Sequence, residues 1–173
     1  RAFLKFSKLV RINLQNSDRL TSPLKEELQV VTDFLELNKL RFRDKLNYSM
    51  ELEADIQQQI MVPKMCMQIH VENGLKHGLA PGKGAGNIRI ALSEADGYLK
   101  IRMEDDGIGR KKAAESKKHS TKKGLKMMQT VYDLLNASNR MKIVQRITDL
   151  YDESGAPAGT RVEIDIPLNL KEP

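Results

Sequence analysis

The sequence predicts an α+β fold in which a helical hairpin precedes an antiparallel sheet interleaved with two further helices. Three observations carry this. Two helical runs, over 1–16 and 23–42, stand at the front of the chain with no strand between them. Period-two alternation then recurs in separate stretches, over 45–56, 87–95, 98–104, 141–151 and 160–167, as half-buried strands require. Asp96-Gly97 joins two of these by a turn that suits an antiparallel hairpin.

Composition bounds the function. At 173 residues the chain suits one ordinary domain with an appended helical piece. Cys66 is the single cysteine, so there is neither a disulfide framework nor a paired CxxC metal motif, and a reducing, cytoplasmic setting is expected. No apolar run approaches the roughly 18 residues needed to cross a bilayer, and no signal peptide opens the chain. Because the chain opens on Arg1 rather than Met, it is expected to be cut from a longer protein whose other part could contain membrane spans. A net charge of +6 favours nucleotides, nucleic acid or lipid head groups without choosing among them.

Phe3, Phe6, Leu9, Val10, Ile12 and Leu14 mark the apolar side of the first helix. Ser22-Pro23 opens the second, with Glu26 and Glu27 in the first turn where the helix dipole favours acids. Leu24, Leu28, Val31, Leu35 and Leu40 give it an apolar side. The hairpin serves either as packing alone or as a dimerisation or linker segment of 1–44 ahead of a catalytic domain over 45–173. Leu46, Tyr48, Met50, Leu52 and Ala54 then share one face of a strand.

The stretch from Pro63 to Leu79 reads as one helix, with Pro63 in its first turn and Gly78 as its stop. Met65, Gln68, Ile69, Glu72, Leu75 and Lys76 fall on one side, and Asn73 and His77 lie one turn apart on the neighbouring side. Glu72 and Asn73 are therefore expected at the margin of the buried stripe, where a cleft could reach them. His70 is expected to be packed or at the surface. The glycine-rich segment APGKGAG over 80–86 is expected to be a mobile loop.

The strand over 98–104 runs into Asp105-Asp106-Gly107-Ile108-Gly109. Two glycines after a carboxylate let backbone approach a ligand, and Asp105 offers an acceptor to an adenine amino group. A plain acidic turn remains the competing reading. Arg110 and six lysines crowd 110–123, with Glu115 the only acid; such a run reads as a solvated loop, a nucleic-acid patch or a lid over a triphosphate. It leads into Gly124-Leu125, read as the start of a helix to about Asn136, where free N–H groups and the dipole would meet phosphates. Gly159-Thr160 offers a hydroxyl and a flexible backbone, or simply a bulge.

Taken in order, these segments resemble the GHKL ATP-binding superfamily, which includes sensor histidine kinases and the gyrase ATPase domain. HVENGLKHG is similar to its N box, MEDDGIG to the first glycine box, KKGLKMM to the second and AGTRVEIDIP to the third. LKEELQVVTDFLELNKLRFRDKL resembles the helix of LytS-like sensor histidine kinases. The resemblance implies a two-layer α/β sandwich, a mixed and mostly antiparallel sheet with helices on one face.

It also implies ATP and Mg²⁺ as cofactors. By position, Asn73 would hold the Mg²⁺ through its side-chain oxygen, and Glu72 would orient or deprotonate the group attacking the γ-phosphate. Asp105 would bind adenine, Gly107 and Gly109 would admit the base, and Thr160 would support it. Gly124, Leu125, Lys122 and Lys123 would face the phosphates, with His77 near them. The implied partners are a second copy in the full-length protein and a response regulator, with no nucleic acid. The implied location is the cytoplasmic domain of an inner-membrane sensor, tied to the membrane only through the missing N-terminal part.

Two departures accompany the match. Lys122 stands where the second glycine box usually has a further glycine, and no Pro-His-Phe phosphoacceptor stretch is present. His70, His77 and His119 are the only histidines and none has that context. The expectation is phosphorylation of a partner rather than of itself. A GHKL ATPase driving a conformational clamp and a basic nucleic-acid-binding module are the alternatives. Aromatic residues at only 5% of the chain, without a stacking pattern, count against the latter.

Overall fold

The computed structural model describes residues 19–78, 86–109 and 121–173. The expected helix over 1–16, most of the glycine-rich loop and the lysine run over 110–120 lie outside them. So do the side chains of residues 77, 78 and 121–123.

Strand β1 (Thr21–Pro23) leads directly into helix α1 (Leu24–Phe42), whose first N–H groups need partners from elsewhere. Leu24 donates to the carbonyl of Ile60 at 2.8 Å and Lys25 to that of Gln58 at 2.9 Å. Leu24, Leu28, Val31, Phe34 and Leu35 are buried on one side. Leu40, expected on that side, is 76% exposed. The three-to-four spacing continues instead to Asn38, which is buried and donates from Nδ2 to the Phe34 carbonyl at 2.7 Å.

A single 3₁₀ turn, Arg43–Lys45, feeds strand β2 (Leu46–Leu52). That strand is shorter than its alternation implied: Ala54 already lies in a turn, and Leu52 is at the exposed end. Strand β3 (Met61–Pro63) pairs antiparallel with β1. Pro63 therefore ends a strand rather than opening a helix, and helix α2 covers Gln68–Gly78. The physical reason is Met65, whose φ of 63° places it in the left-handed region, through which no α-helix can run.

The remaining elements are β4 (Gly86–Ala95), β5 (Tyr98–Asp105), α3 (Thr121–Ser138), β6 (Val144–Tyr151) and β7 (Pro157–Pro167). They build a five-stranded sheet in the order β2-β4-β5-β7-β6. The β2–β4 pair is parallel, and the other three are antiparallel. A parallel neighbour requires a crossover, and α2 lies within it. The β4–β5 hairpin turns at Asp96 and Gly97 with φ of 57° and 79°, the twist that a two-residue hairpin loop needs. Helix α3 starts at Thr121, ahead of the expected Gly124, and β6 starts at Val144 rather than Met141. There Asn136 Oδ1 accepts the Ile143 N–H at 2.7 Å, so the preceding residues form a tied connection.

Alternation gives the sheet two different faces. Ile88, Ile90, Leu92, Leu99, Ile101, Met103, Val162, Ile164 and Ile166 are buried in one cluster with the apolar faces of α1, α2 and α3. The opposite face carries paired charges: Arg161 Nε donates to Glu104 at 2.6 Å, Arg102 lies 3.3 Å from Glu163, and Arg146 lies 2.8 Å from Asp165. These are cross-strand neighbours of opposite sign, each contributing a few tenths to about 1 kcal/mol.

Candidate functional site

Helix α2 is buried along most of its length. Ile69, His70, Val71, Glu72 and Leu75 are all buried, and only Lys76 among its described side chains is exposed. Glu72, expected at the margin of the stripe, is instead 3% exposed, and Gln68 Nε2 donates to its Oε1 at 3.1 Å. Asn73 is half-buried. His70 is packed: it is 6% exposed, its Nε2 lies 3.2 Å from Gln145 Oε1, and burial pulls its pKa down to about 4. Cys66 is also buried, and its thiol is pushed well up by burial and then by the nearby Glu27.

Asp105 ends β5, with Ile88 of β4 and Thr160 of β7 as its register partners. The structure thus brings together two residues 55 positions apart that the motif reading assigned to one side of the ligand. Thr160 is buried inside β7, which begins earlier than its alternation implied. The Asp105 Oδ1 accepts the Gly107 N–H at 2.8 Å, so the carboxylate also shapes the loop that follows it. Asp106 accepts from both the main-chain N–H and the side-chain amide of Asn87, anchoring the loop to β4.

Glycines decide how closely these pieces approach. A β-carbon on Gly74, next to Asn73, would lie 3.1 Å from Asp105 Cβ, so α2 and the end of β5 meet there. Gly159 has φ of 138°, and a β-carbon on it would fall 1.8 Å from the Asp105 carbonyl oxygen. The register shift at Leu150/Tyr151 makes this a bulge as well as a close approach. A β-carbon on Gly109, at φ 76°, would lie 3.1 Å from Pro157 Cβ, and Gly107 is buried.

Gly124 is buried in the first turns of α3, and a β-carbon there would meet Ile69 of α2 at an ordinary 3.6 Å. Since Ile69 lies one turn before Asn73, α3 enters beside the Asn73 helix. Leu125 is half-buried, and the backbones of Lys122 and Lys123 lie in the first turn of α3. His77 sits in the last turn of α2, and its side chain lies outside the described residues. Sequence reasoning gave no site role to Gly74 or Asn87, and took Glu27 only as an acid at the start of its own helix. Gly74 alone gave a local signal, as a glycine in a helix interior, where it costs about 1 kcal/mol unless packing requires it.

Among the described residues no group of three His, Cys, Asp or Glu side chains converges to hold a metal. The half-buried Asn73 offers a side-chain oxygen, the type of donor that a hard cation takes together with phosphates and water.

A mixed sheet with helices on one face, an Asn-bearing helix and a glycine-flanked carboxylate at a strand end define the catalytic-domain fold of histidine kinases. Its solved neighbours agree. The histidine kinase domain of the blue-light activated kinase from Erythrobacter litoralis superposes with a TM-score of 0.57 at 18% identity, covering 88% of this chain and 70% of that one. The histidine kinase ThkA, solved in complex with the response regulator protein TrrA, does so with a TM-score of 0.51 at 11% identity, covering 97% and 48%. A histidine kinase family model matches residues 1–46. The sensor protein LytS of Bacillus anthracis is 29% identical over 174 residues, covering 98% of this chain and 28% of that protein. Over nearly its whole length the chain is similar to the LytS sensor proteins, and it spans just over a quarter of the LytS protein it matches. These matches favour the kinase reading over the ATPase and nucleic-acid readings. No described helix is long and apolar enough to cross a membrane.

Proposed function

We propose that this chain binds Mg²⁺-ATP between α2 and the Asp105 end of β5, and serves as the ATP-binding catalytic region of a two-component sensor histidine kinase. One observation supports the reading: a β-carbon on Gly74, the residue after Asn73, would lie 3.1 Å from Asp105 Cβ, and Asp105 is the register partner of Thr160. Asp105 accepts from the adenine amino group, Thr160 supports the same side, and Gly107 and Gly109 let the base approach. Asn73 holds Mg²⁺ through its side-chain oxygen. Gly124, Leu125, Lys122 and Lys123 face the phosphates from the start of α3, where unpaired N–H groups and the dipole favour anions, and His77 adds to that side. Bound ATP supplies the γ-phosphoryl group, and Glu72 orients or deprotonates the accepting imidazole.

His70 is buried, and neither it nor His77 nor His119 stands in a Pro-His-Phe stretch, which supports an acceptor histidine outside this chain. Residues 1–44 end the dimerisation and histidine-bearing region, and 45–173 form the catalytic domain, although α1 shares the catalytic core. The full-length protein acts as a homodimer, passes the phosphoryl group to a response regulator and presents this region on the cytoplasmic side of the membrane. The ThkA complex with its regulator supports the partner class.

Calorimetric titration with a non-hydrolysable ATP analogue, with and without Mg²⁺, tests the reading. Asn73→Ala is expected to lose the metal dependence, and Asp105→Asn to lose the preference for adenine over guanine. Wild-type binding no tighter than millimolar would sink it.

A further inference from the structure

The entry to α2 is held by a carboxylate from another helix. Glu27 of α1 is 4% exposed, and its Oε2 accepts the Met65 N–H at 3.0 Å. Its Oε1 accepts the Met67 N–H at 2.9 Å and the Gln68 N–H at 3.3 Å. An N-terminal helix turn leaves N–H groups without intrahelical partners, and one buried acid takes three of them here. Burial pushes the Glu27 carboxyl up, while the three N–H groups favour its charged form. The same bonds hold Met65 in its left-handed conformation, which persists only where the surroundings enforce it.

From this cap a continuous path runs to the proposed site. Glu27 Oε1 holds the Gln68 N–H, and the Gln68 side chain, one turn before Glu72, donates from Nε2 to Glu72 Oε1 at 3.1 Å. Gln68 Oε1 is buried and has no hydrogen-bond partner among the described residues, so this side chain is kept in the interior through its N–H bonds. Asn73 follows Glu72 on the same rigid helix.

We infer that Glu27 is a positioning residue, fixing from α1 the start of α2 and thereby the placement of Glu72 and Asn73 against Asp105. The inference rests on the nucleotide reading above. It implies that α1 is mechanically tied to the metal side of the site, whereas Asp105 is held in the sheet by its register with Ile88 and Thr160.

That asymmetry gives a test which simple loosening of the fold would not pass. Glu27→Gln places an NH₂ against one of the three N–H donors and removes the charge. The wild-type and Glu27→Gln chains are titrated with adenosine and with a non-hydrolysable ATP analogue, each with and without Mg²⁺, and urea melts verify the fold. The Mg²⁺-dependent gain in analogue affinity is expected to fall about tenfold, as for other residues that orient a metal ligand. Adenosine affinity is expected to stay within about twofold, since Asp105 is held by pairing with β4 and β7. An unchanged Mg²⁺ gain, or equal losses for both ligands, overturns the inference. If Glu27→Gln does not melt cooperatively, Glu27→Asp, which keeps the charge but retracts it by one methylene, is titrated in its place with the same outcomes deciding. A wild-type chain that binds neither ligand removes the nucleotide reading itself, and this inference with it.

Discussion

A β-carbon on Gly74 would sit 3.1 Å from Asp105 Cβ and 3.5 Å from its carboxyl oxygen Oδ2, so the Asn73 helix meets the end of β5 with no side chain between them. The distance from the Asn73 helix to Asp105 is therefore set by backbone packing rather than by flexible groups.

Substitution at Gly74 should act on Asp105 rather than on the helix. Gly74→Ala needs only a small adjustment at Asp105 and gains about 1 kcal/mol of helix propensity, so it should fold at least as well as wild type. Gly74→Leu cannot be placed without displacing the Asp105 carboxyl. Loss of a charged acceptor's hydrogen bond costs about 1.5–3 kcal/mol, so affinity for the ATP analogue should drop roughly tenfold to a hundredfold. Wild-type affinity in Gly74→Leu would show that this contact does not position Asp105.

Gly159 bears on the same residue from the opposite strand. Its β-carbon would strike main-chain atoms of Asp105 and Asp106, which cannot rotate aside, and its φ of 138° is strained for any other residue. Gly159→Ala should destabilise the fold by about 3 kcal/mol through strain and overpacking together. Urea unfolding measures this; a loss below about 0.5 kcal/mol would mean that β7 shifts freely at its bulge.

The β4–β5 hairpin was legible because its information is local: alternation on both sides of Asp96-Gly97 leaves one register. Asn73 and Asp105 were likewise picked out from local motifs. The true start of α2 was not, since Pro63 and the apolar run after it read locally as helix. What breaks that helix is Met65 in a left-handed conformation, held by a carboxylate 38 residues earlier. Glu27 read as an acid favouring its own helix dipole, and nothing local says that it caps another helix. The Thr160–Asp105 pairing and the burial of Glu72 likewise depend on how distant elements stack, which no periodicity encodes.

Gly124 separates folding from ligand binding. A β-carbon there makes only ordinary contact with Ile69, so Gly124→Ala should stabilise the chain by roughly 0.5–1 kcal/mol through lower unfolded-state entropy and better helix propensity. If the first turn of α3 cradles phosphates, the same substitution should weaken the ATP analogue while leaving adenosine unaffected. Unchanged affinity for both would move the phosphates away from Gly124.

His70 makes acid stability a property of the α2–β6 packing. Its ring is buried, with Nε2 against Gln145 Oε1, and its pKa is lowered from 6.5 to about 4, chiefly by burial. The unfolded chain takes up a proton here below about pH 6.5, but the folded chain resists until about pH 4. Protons therefore favour the unfolded state across that window: the contribution of neutral His70 is complete above it and is lost as pH falls through it. The linked loss is about 3 kcal/mol by pH 4. Urea unfolding at pH 7 and pH 4 should show wild type losing about 3 kcal/mol more than His70→Gln, whose amide does not titrate. Equal losses in the two proteins would mean that the ring reaches solvent and protonates without unfolding.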